Sequence, residues 1–232
     1  MDLFAHIEIT PNTVHRQEYF SVDNLLQIEP TRIERDLLGE KQIPLHSYYG
    51  IHTLRAIENF KISGLAVGQQ THFIRALAQV KKASAQANLH FKKLPEQTST
   101  AIQKACDELI QHPEAWQSAF PLDPYQGGAG TSINMNANEV IANIALEMSG
   151  HQKGDYHILH PNDHVNTSQS TNDVYPTALR LATYSSLDEL LNVLNALIEC
   201  IGQKAAEFKY VIKMGRTQLQ DAVPMTMEQE FR

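Results

Sequence analysis

A run of apolar residues in the last quarter of the chain constrains the fold most strongly, because these residues recur at helical spacing. With Pro176 near its first turn, the helix would contain about 30 residues and be about 45 Å long. That length exceeds the length of most helices in globular domains and predicts a helical bundle or the core of an oligomer. The residues that define the face are Leu190, Leu194, Leu197, Ile201, Ala205 and Phe208.

Three shorter helices are predicted before this long one. The first begins near Thr71, the second lies between Thr98 and Gln111, and the third follows the segment GGAGTS, with Gly150 suited to its C′ position. The stretch 31–60 is punctuated by glycine and proline, which predicts short irregular elements. No alternating strand pattern of similar strength occurs, so the predicted fold class is mainly α.

The composition argues against several classes of protein. A net charge of −7 and the lack of a Lys/Arg run argue against binding to nucleic acid. The longest apolar stretch, 190–201, is interrupted by Asn192, Asn195 and Glu199, so no membrane-spanning segment is predicted. Two distant cysteines do not indicate a disulfide framework, and Asp2 stands where a signal peptide would carry positive charge. These features predict a reduced, cytoplasmic protein.

The first polar cluster is the segment GGAGTSINMN, residues 127–136, which leads into the third helix. Glycines before a helix let backbone N–H groups converge, and the helix N-terminus adds partial positive charge, so the segment suits an anion. The alternative is an ordinary capped helix start, with Thr131 or Ser132 as the N-cap. A nucleotide-binding loop is disfavoured because no GK[ST] sequence follows and the third glycine of GxGxxG is missing.

The second polar cluster comprises HPNDHVN, residues 160–166, and QSTND, residues 169–173. Its neutral hydrogen-bonding side chains stand ahead of the long helix and could also bind an anion. The alternative is that Asn172 or Asp173 only caps that helix. A metal site built from neighbouring histidines is disfavoured because Pro161 would break a continuous helix there and no cysteine contributes. The histidines concerned are His157, His160 and His164.

The third polar cluster is KMGRTQLQDAVP, residues 213–224. Arg216 could bind a carboxylate with two hydrogen bonds, and Thr217 and Gln218 are neutral donors. Alternatively, Arg216 and Asp221 form a structural ion pair and Thr217 caps a helix.

Together, the segments GGAGTSINMNANEVIAN, HPNDHVNTSQSTNDVYPT and KMGRTQLQDAVPMT resemble the aspartase/fumarase superfamily in order and spacing. The resemblance extends from about Arg32 to Arg232 and is greatest to the aspartate ammonia-lyases. It implies an N-terminal extension at 1–30 and an N-terminal lyase domain at 31–169. Residues 170–232 would then be the truncated start of a long central helical bundle.

Gln218 bears on which reaction the resemblance implies. Similar fumarases carry a histidine directly after the threonine of the GRT motif, where it helps to handle the water added to fumarate. An amide cannot accept a proton near neutral pH, whereas imidazole can. Some aspartases also carry histidine here, so glutamine favours deamination while histidine would not have excluded it.

The resemblance therefore implies reversible deamination of L-aspartate to fumarate and ammonia, with abstraction of a Cβ proton through an aci-carboxylate intermediate. It implies a small-molecule substrate, no cofactor and no metal ligand, and it leaves activation by a divalent metal open. It also implies a homotetramer in which each site combines residues of three subunits. The side chains that it assigns to substrate binding are Thr131, Ser170, Thr171, Asn172, Thr217 and Gln218.

The general base of similar enzymes is a serine on a mobile loop, and no G-S-S-x-M-P-x-K-x-N-P pattern occurs in these 232 residues. We therefore expect a truncated chain without a catalytic base, inactive by itself. Two alternatives stay open, a fragment of a class II fumarase-like hydratase and a non-catalytic structural or binding member of the superfamily.

Overall fold

An antiparallel hairpin is the first element described by the computed structural model, which describes residues 29–232. Strand β1, Thr31–Asp36, pairs with β2, Gly39–Pro44. Irregular elements were predicted for 31–60, and this prediction is wrong both for the hairpin and for the α-helix at Ile51–Asn59. The two turn residues are leucines rather than the Asn-Gly or Asp-Gly that would have indicated a hairpin. The predicted extension at 1–30 falls outside the described residues except for its last two.

Helix α1, Ile51–Asn59, follows the hairpin and begins against two buried carboxylates from distant parts of the chain. Glu34 accepts a hydrogen bond from the Ile51 N–H at 2.7 Å, and Glu139 accepts one from the Gly50 N–H at 2.8 Å. The free N–H groups at the start of a helix need acceptors, and here side chains of other elements supply them. These contacts hold α1 and the hairpin on the helical core.

Three helices form the core, and all three were predicted. They are α2, Thr71–His90, α3, Glu96–Gln111, and α4, Thr131–Met148, and α3 packs on both of the others. Gly150 adopts a φ of +81° directly after the Ser149 cap of α4, which confirms its predicted place at C′. Ile74, Leu77, Ile102, Ile141 and Ile144 are among the fully buried side chains between them.

Helix α5, Thr171–Glu207, is longer than the predicted 30 residues, with 37. It packs on α2, and the contact between His72 and Glu189 shows that this packing extends over about the first half of α5. Pro176 lies inside the helix, in its second turn. The buried residues of the whole helix are Val174, Ala178, Ala182 and Ala205.

A second hairpin follows α5, and the sequence did not predict it. Strand β3, Ile212–Thr217, pairs with β4, Gln220–Thr226, and the short helix α6, Met227–Phe231, packs back on α5. Arg216 and Asp221 form an exposed ion pair at 3.3 Å across this hairpin, which confirms the structural alternative for the two residues.

The fold is mainly helical, as predicted. Residues 31–232 form one compact unit, and the predicted boundary between 169 and 170 stays a prediction. Within residues 29–232 no helix combines the length and hydropathy needed to cross a membrane.

Candidate functional site

The first turns of α4 and α5 meet at a pocket of about 420 Å³. Gly130, directly before α4, and Asn172, in the first turn of α5, both line it. None of the lining residues carries a charge, so the electrostatic character of the pocket comes from two helix N-termini, which favour an anion. The lining residues are Pro124, Gln126, Ala129, Gly130, Asn172, Tyr175 and Pro176.

Gly130 allows the two helices to approach each other. Its φ of +87° is in the left-handed region, and a Cβ there would lie 2.4 Å from the ring of Tyr175. Gly130 is also the N-cap of α4, so the alternative prediction that Thr131 or Ser132 caps the helix is wrong. The Thr131 hydroxyl instead donates to the Gly128 carbonyl at 2.6 Å and is exposed beside the pocket.

The start of α5 presents three of the predicted substrate-binding residues in a row. Ser170 is the N-cap, and its hydroxyl accepts the Asn172 N–H at 3.2 Å, so the alternative caps Asn172 and Asp173 were wrong. Thr171 is half-buried, and its Oγ1 accepts a hydrogen bond from Asn134 Nδ2 at 3.1 Å. The structure therefore places Thr131, Ser170, Thr171 and Asn172 around adjoining helix starts.

Beneath Thr171 lies a buried polar network that the sequence did not predict. Lys81 of α2 has no exposed surface and donates from Nζ to Asn166 Oδ1 at 2.9 Å. The same Asn166 oxygen accepts from Asn134 Nδ2 at 3.2 Å. Burial lowers the pKa of the Lys81 ammonium to about 7, because its charge is costly away from water. A lysine and an asparagine at helical positions otherwise occupied by apolar residues were the available signal.

Thr217 ends strand β3 and Gln218 follows it in the turn of the second hairpin, far from the other four residues. Helix α5 is about 55 Å long, and the ten residues from Glu207 to Thr217 span at most about 35 Å. Thr217 is therefore at least about 20 Å from Thr171 in a single chain. Gln218 has a φ of +47° and Leu219 one of +63°, so two residues with Cβ atoms occupy the left-handed region at this exposed turn.

The histidines of the second cluster hold the backbone before α5. His160 Nδ1 accepts the N–H groups of Asn162 and Asp163, at 3.1 and 3.2 Å, and His164 Nδ1 accepts the His160 N–H at 2.8 Å. These bonds shape the short π-helical turn Pro161–Val165. The imidazole rings of His160 and His164 thus each use Nδ1 to hold the backbone of this loop.

Comparison with known proteins gives consistent results. The aspartate ammonia-lyase of Escherichia coli K12 is 56% identical over 201 residues, which cover 87% of this chain and 42% of that protein. The solved structure of a fumarate lyase:delta crystallin from Brucella melitensis is 55% identical with a TM-score of 0.81, covering 87% of this chain and 46% of that one. A class II fumarase from Schistosoma mansoni is 37% identical with a TM-score of 0.74, covering 87% and 42%.

The chain thus spans less than half the length of these relatives. A family model described as Lyase matches residues 39–232, which is most of the chain. The chain therefore belongs to this lyase family, and aspartate ammonia-lyases are among its relatives there.

Proposed function

We propose that this chain supplies the larger part of the dicarboxylate-binding pocket of an aspartate ammonia-lyase. The observation that carries the proposal is the meeting of the α4 and α5 N-termini at one uncharged pocket, with Thr131, Ser170, Thr171 and Asn172 at its edge. A dicarboxylate entering it would meet backbone and hydroxyl donors without a fixed positive side chain that must be neutralised.

The chemistry of deamination suits such a pocket. Removal of the Cβ proton from L-aspartate pushes negative charge into the neighbouring carboxylate and forms an aci-carboxylate dianion. Donors that are already oriented stabilise this charge, and each is worth about 3 kcal/mol in the transition state. Neutral hydroxyl and amide donors pack side by side without like-charge repulsion, so several can bind one carboxylate group.

The remaining predicted residues, Thr217 and Gln218, must come from another copy of the chain. They lie at least about 20 Å from Thr171 within one chain, and α5 exposes an apolar face that a second copy would cover. We propose that this face is an interface of a homotetramer, and that assembly brings the hairpin turn of one subunit to the pocket of another. The exposed apolar residues are Leu187, Leu190, Leu191, Val193, Leu194, Leu197, Ile198 and Ile201.

Deamination is favoured over hydration by two observations. Gln218 cannot act as a proton acceptor where similar fumarases have histidine. The chain is also 56% identical to the aspartate ammonia-lyase of E. coli but 37% identical to the class II fumarase.

Complementation tests the proposal. The chain would be produced alone and together with the part of E. coli aspartate ammonia-lyase that it does not cover, and fumarate formed from L-aspartate would be followed by absorbance. We expect no turnover by the chain alone, since no segment of its sequence matches the serine loop, and turnover by the reconstituted complex.

Thr171→Val in the complex should lower kcat/KM for L-aspartate by about 10- to 100-fold, because a hydrogen bond to a charged group contributes about 1.5–3 kcal/mol. Conversion of fumarate to malate without ammonia-lyase activity would instead support the hydratase. Turnover of L-aspartate by the chain alone would contradict the expected absence of a catalytic base. A stable complex without either activity would support the non-catalytic alternative.

A further inference from the structure

In the buried network beneath Thr171, Lys81 determines which groups donate hydrogen bonds and which accept them. An ammonium group carries three donors and no acceptor, so Lys81 can bond only to an oxygen of Asn166. That oxygen, Oδ1, lies 2.9 Å from Nζ and is therefore an acceptor for every other partner as well. The orientation of one amide thus follows from the chemistry of one lysine.

The orientation of the Asn166 amide in turn determines the orientation of the Asn134 amide. Because Asn166 Oδ1 accepts, Asn134 must present its NH₂ group to it, and Nδ2 lies 3.2 Å away. The second hydrogen of the same NH₂ group points to Thr171 Oγ1 at 3.1 Å. Among the described residues Asn134 Oδ1 is buried without a hydrogen-bond partner, so the Nδ2 side alone holds this amide.

A separate bond fixes Asn166 in the same orientation. Its Nδ2 donates to the Gln169 carbonyl at 3.3 Å, and a carbonyl can only accept. Asn88, seven residues after Lys81 on the same face of α2, donates to the Thr167 carbonyl at 2.8 Å. Because of its bond to the Gln169 carbonyl, the amide of Asn166 keeps its orientation whether the Lys81 amine is charged or neutral.

We propose that Lys81, Asn166 and Asn134 form a positioning relay that makes the Thr171 hydroxyl a hydrogen-bond donor to the substrate carboxylate. A hydroxyl has a single hydrogen, and Thr171 Oγ1 accepts from Asn134, so its hydrogen is directed elsewhere. A substrate carboxylate is an acceptor only, and a hydroxyl oriented in advance can bind it without first breaking an internal bond. This inference rests on the proposed function, because it names how that pocket orients one of its donors.

Two substitutions of Asn166 separate the relay from simple support of the loop. Asn166→Asp keeps acceptors for Lys81 and Asn134 but loses the donor to Gln169, whereas Asn166→Leu loses both. If the relay matters, kcat/KM for L-aspartate of the reconstituted complex should stay within about threefold for Asn166→Asp and fall at least tenfold for Asn166→Leu. Equal losses for the two variants would mean that Asn166 only supports the loop, and would overturn the relay.

Asn134→Asp reverses the final link, since an ionised carboxylate would draw the Thr171 hydrogen away from the substrate. We expect kcat/KM to fall about tenfold near neutral pH and to recover towards the unsubstituted value as the pH falls, because a protonated carboxyl can donate again. Asn138→Asp is the matched control, an equally buried asparagine one turn along α4 that bonds to Met135 Sδ. It should leave kcat/KM within about twofold.

The substitutions Asn134→Asp and Thr171→Val also form a double-mutant cycle. In a Thr171→Val complex, Asn134→Asp should lower kcat/KM no further, because the hydroxyl that it reorients is gone. Additive losses, or a loss in the Asn138→Asp control as large as in Asn134→Asp, would overturn the relay while the proposed function stands. An inactive unsubstituted complex would instead remove the proposed function, and the relay with it.

Discussion

Helices α4 and α5 differ in how much of each helix is buried and in which side chains are exposed. Of the 18 residues of α4, 13 are buried, and they include the polar residues Asn134, Asn136, Asn138, Glu139 and Asn143. Of the 37 residues of α5, 4 are buried, while its leucines and isoleucines from 187 to 201 are exposed. Helix α4 therefore buries five polar side chains among its apolar ones, whereas α5 leaves large apolar side chains exposed.

The difference shows that polarity alone does not locate a residue in this fold. Buried polar side chains in α4 are stabilised because they bond to backbone groups and to side chains outside this set. Exposed apolar side chains in α5 have no such compensation from residues 29–232, and an apolar surface of this kind is typical of an association site. In the proposed function, α4 contributes to the pocket and the apolar face of α5 binds the other subunits.

The largest expected effect comes from shortening one isoleucine in each helix. Ile141 in α4 has no exposed surface, so Ile141→Ala should lower the free energy of unfolding by about 4 kcal/mol through lost burial and a cavity. Ile198 in α5 is 65% exposed. Ile198→Ala should therefore change the free energy of unfolding of the dissociated chain by less than about 0.5 kcal/mol. Urea unfolding at several protein concentrations measures both values.

Sedimentation of the same samples supplies the control for association. Ile198→Ala should weaken self-association without changing the stability of the dissociated chain, because its side chain would be covered only by another copy. A cost for Ile198→Ala in the dissociated chain as large as that for Ile141→Ala would break the contrast between the two helices.

A smaller effect is expected at Glu139, the buried carboxylate of α4. It accepts four hydrogen bonds, from the N–H groups of Gly50, His52 and Thr53 and from the Thr53 hydroxyl, at 2.6–3.2 Å. Burial raises the pKa of Glu139 to about 7, although the donated bonds oppose the rise. Glu139→Gln places an NH₂ group opposite at least one N–H, which should cost about 3 kcal/mol in unfolding free energy.

Glu147→Gln, on an exposed part of the same helix, is the control and should cost less than about 1 kcal/mol. Thermal or urea unfolding checks the pair at one pH. Similar costs at the two positions would mean that the buried bonds of Glu139 contribute no more than a surface contact.

The sequence predicted the four main helices because apolar residues at a period near 3.6 follow directly from helix geometry. It missed both hairpins for a local reason. The turn of β1 and β2 contains Leu37-Leu38, and that of β3 and β4 contains Gln218-Leu219, so neither carries the glycine or asparagine that favours a two-residue turn. Without such a turn residue, neither hairpin had a local signal in the sequence.

The site was predicted in part, for a different reason. The family resemblance predicted that Thr131 and Thr171 share a site; the structure brings their helix starts together, and their substrate-binding roles stay predictions. The predicted long helix already separated Thr217 from that pocket in one chain, and the structure lengthens this helix from about 30 to 37 residues. The relay through Lys81 was missed because a lysine in an amphipathic helix is ordinarily exposed, and its burial depends on partners from α4 and the loop before α5.

The pH dependence of stability offers the finest test of the buried polar region. The pKa of Lys81 is lowered by burial to about 7 from an ordinary value of 10.5 in the unfolded chain. Between these values the unfolded chain binds a proton that the folded chain does not, so stability due to this group rises with pH. The slope is at most about 1.4 kcal/mol per pH unit, and it vanishes below the lower and above the upper value.

Burial also raises the pKa of the neighbouring Cys106 thiol, which gives an opposing slope in alkaline solution. The difference in unfolding free energy between the unsubstituted chain and Lys81→Met isolates the lysine, and it should grow in favour of the unsubstituted chain from pH 7 to pH 10. Lys82→Met, which removes a half-exposed ammonium beside Asp107, should leave the Lys81 slope in place. A difference independent of pH would mean that Lys81 keeps its proton in the folded chain, and that a charged group is stable in the polar region beneath the pocket.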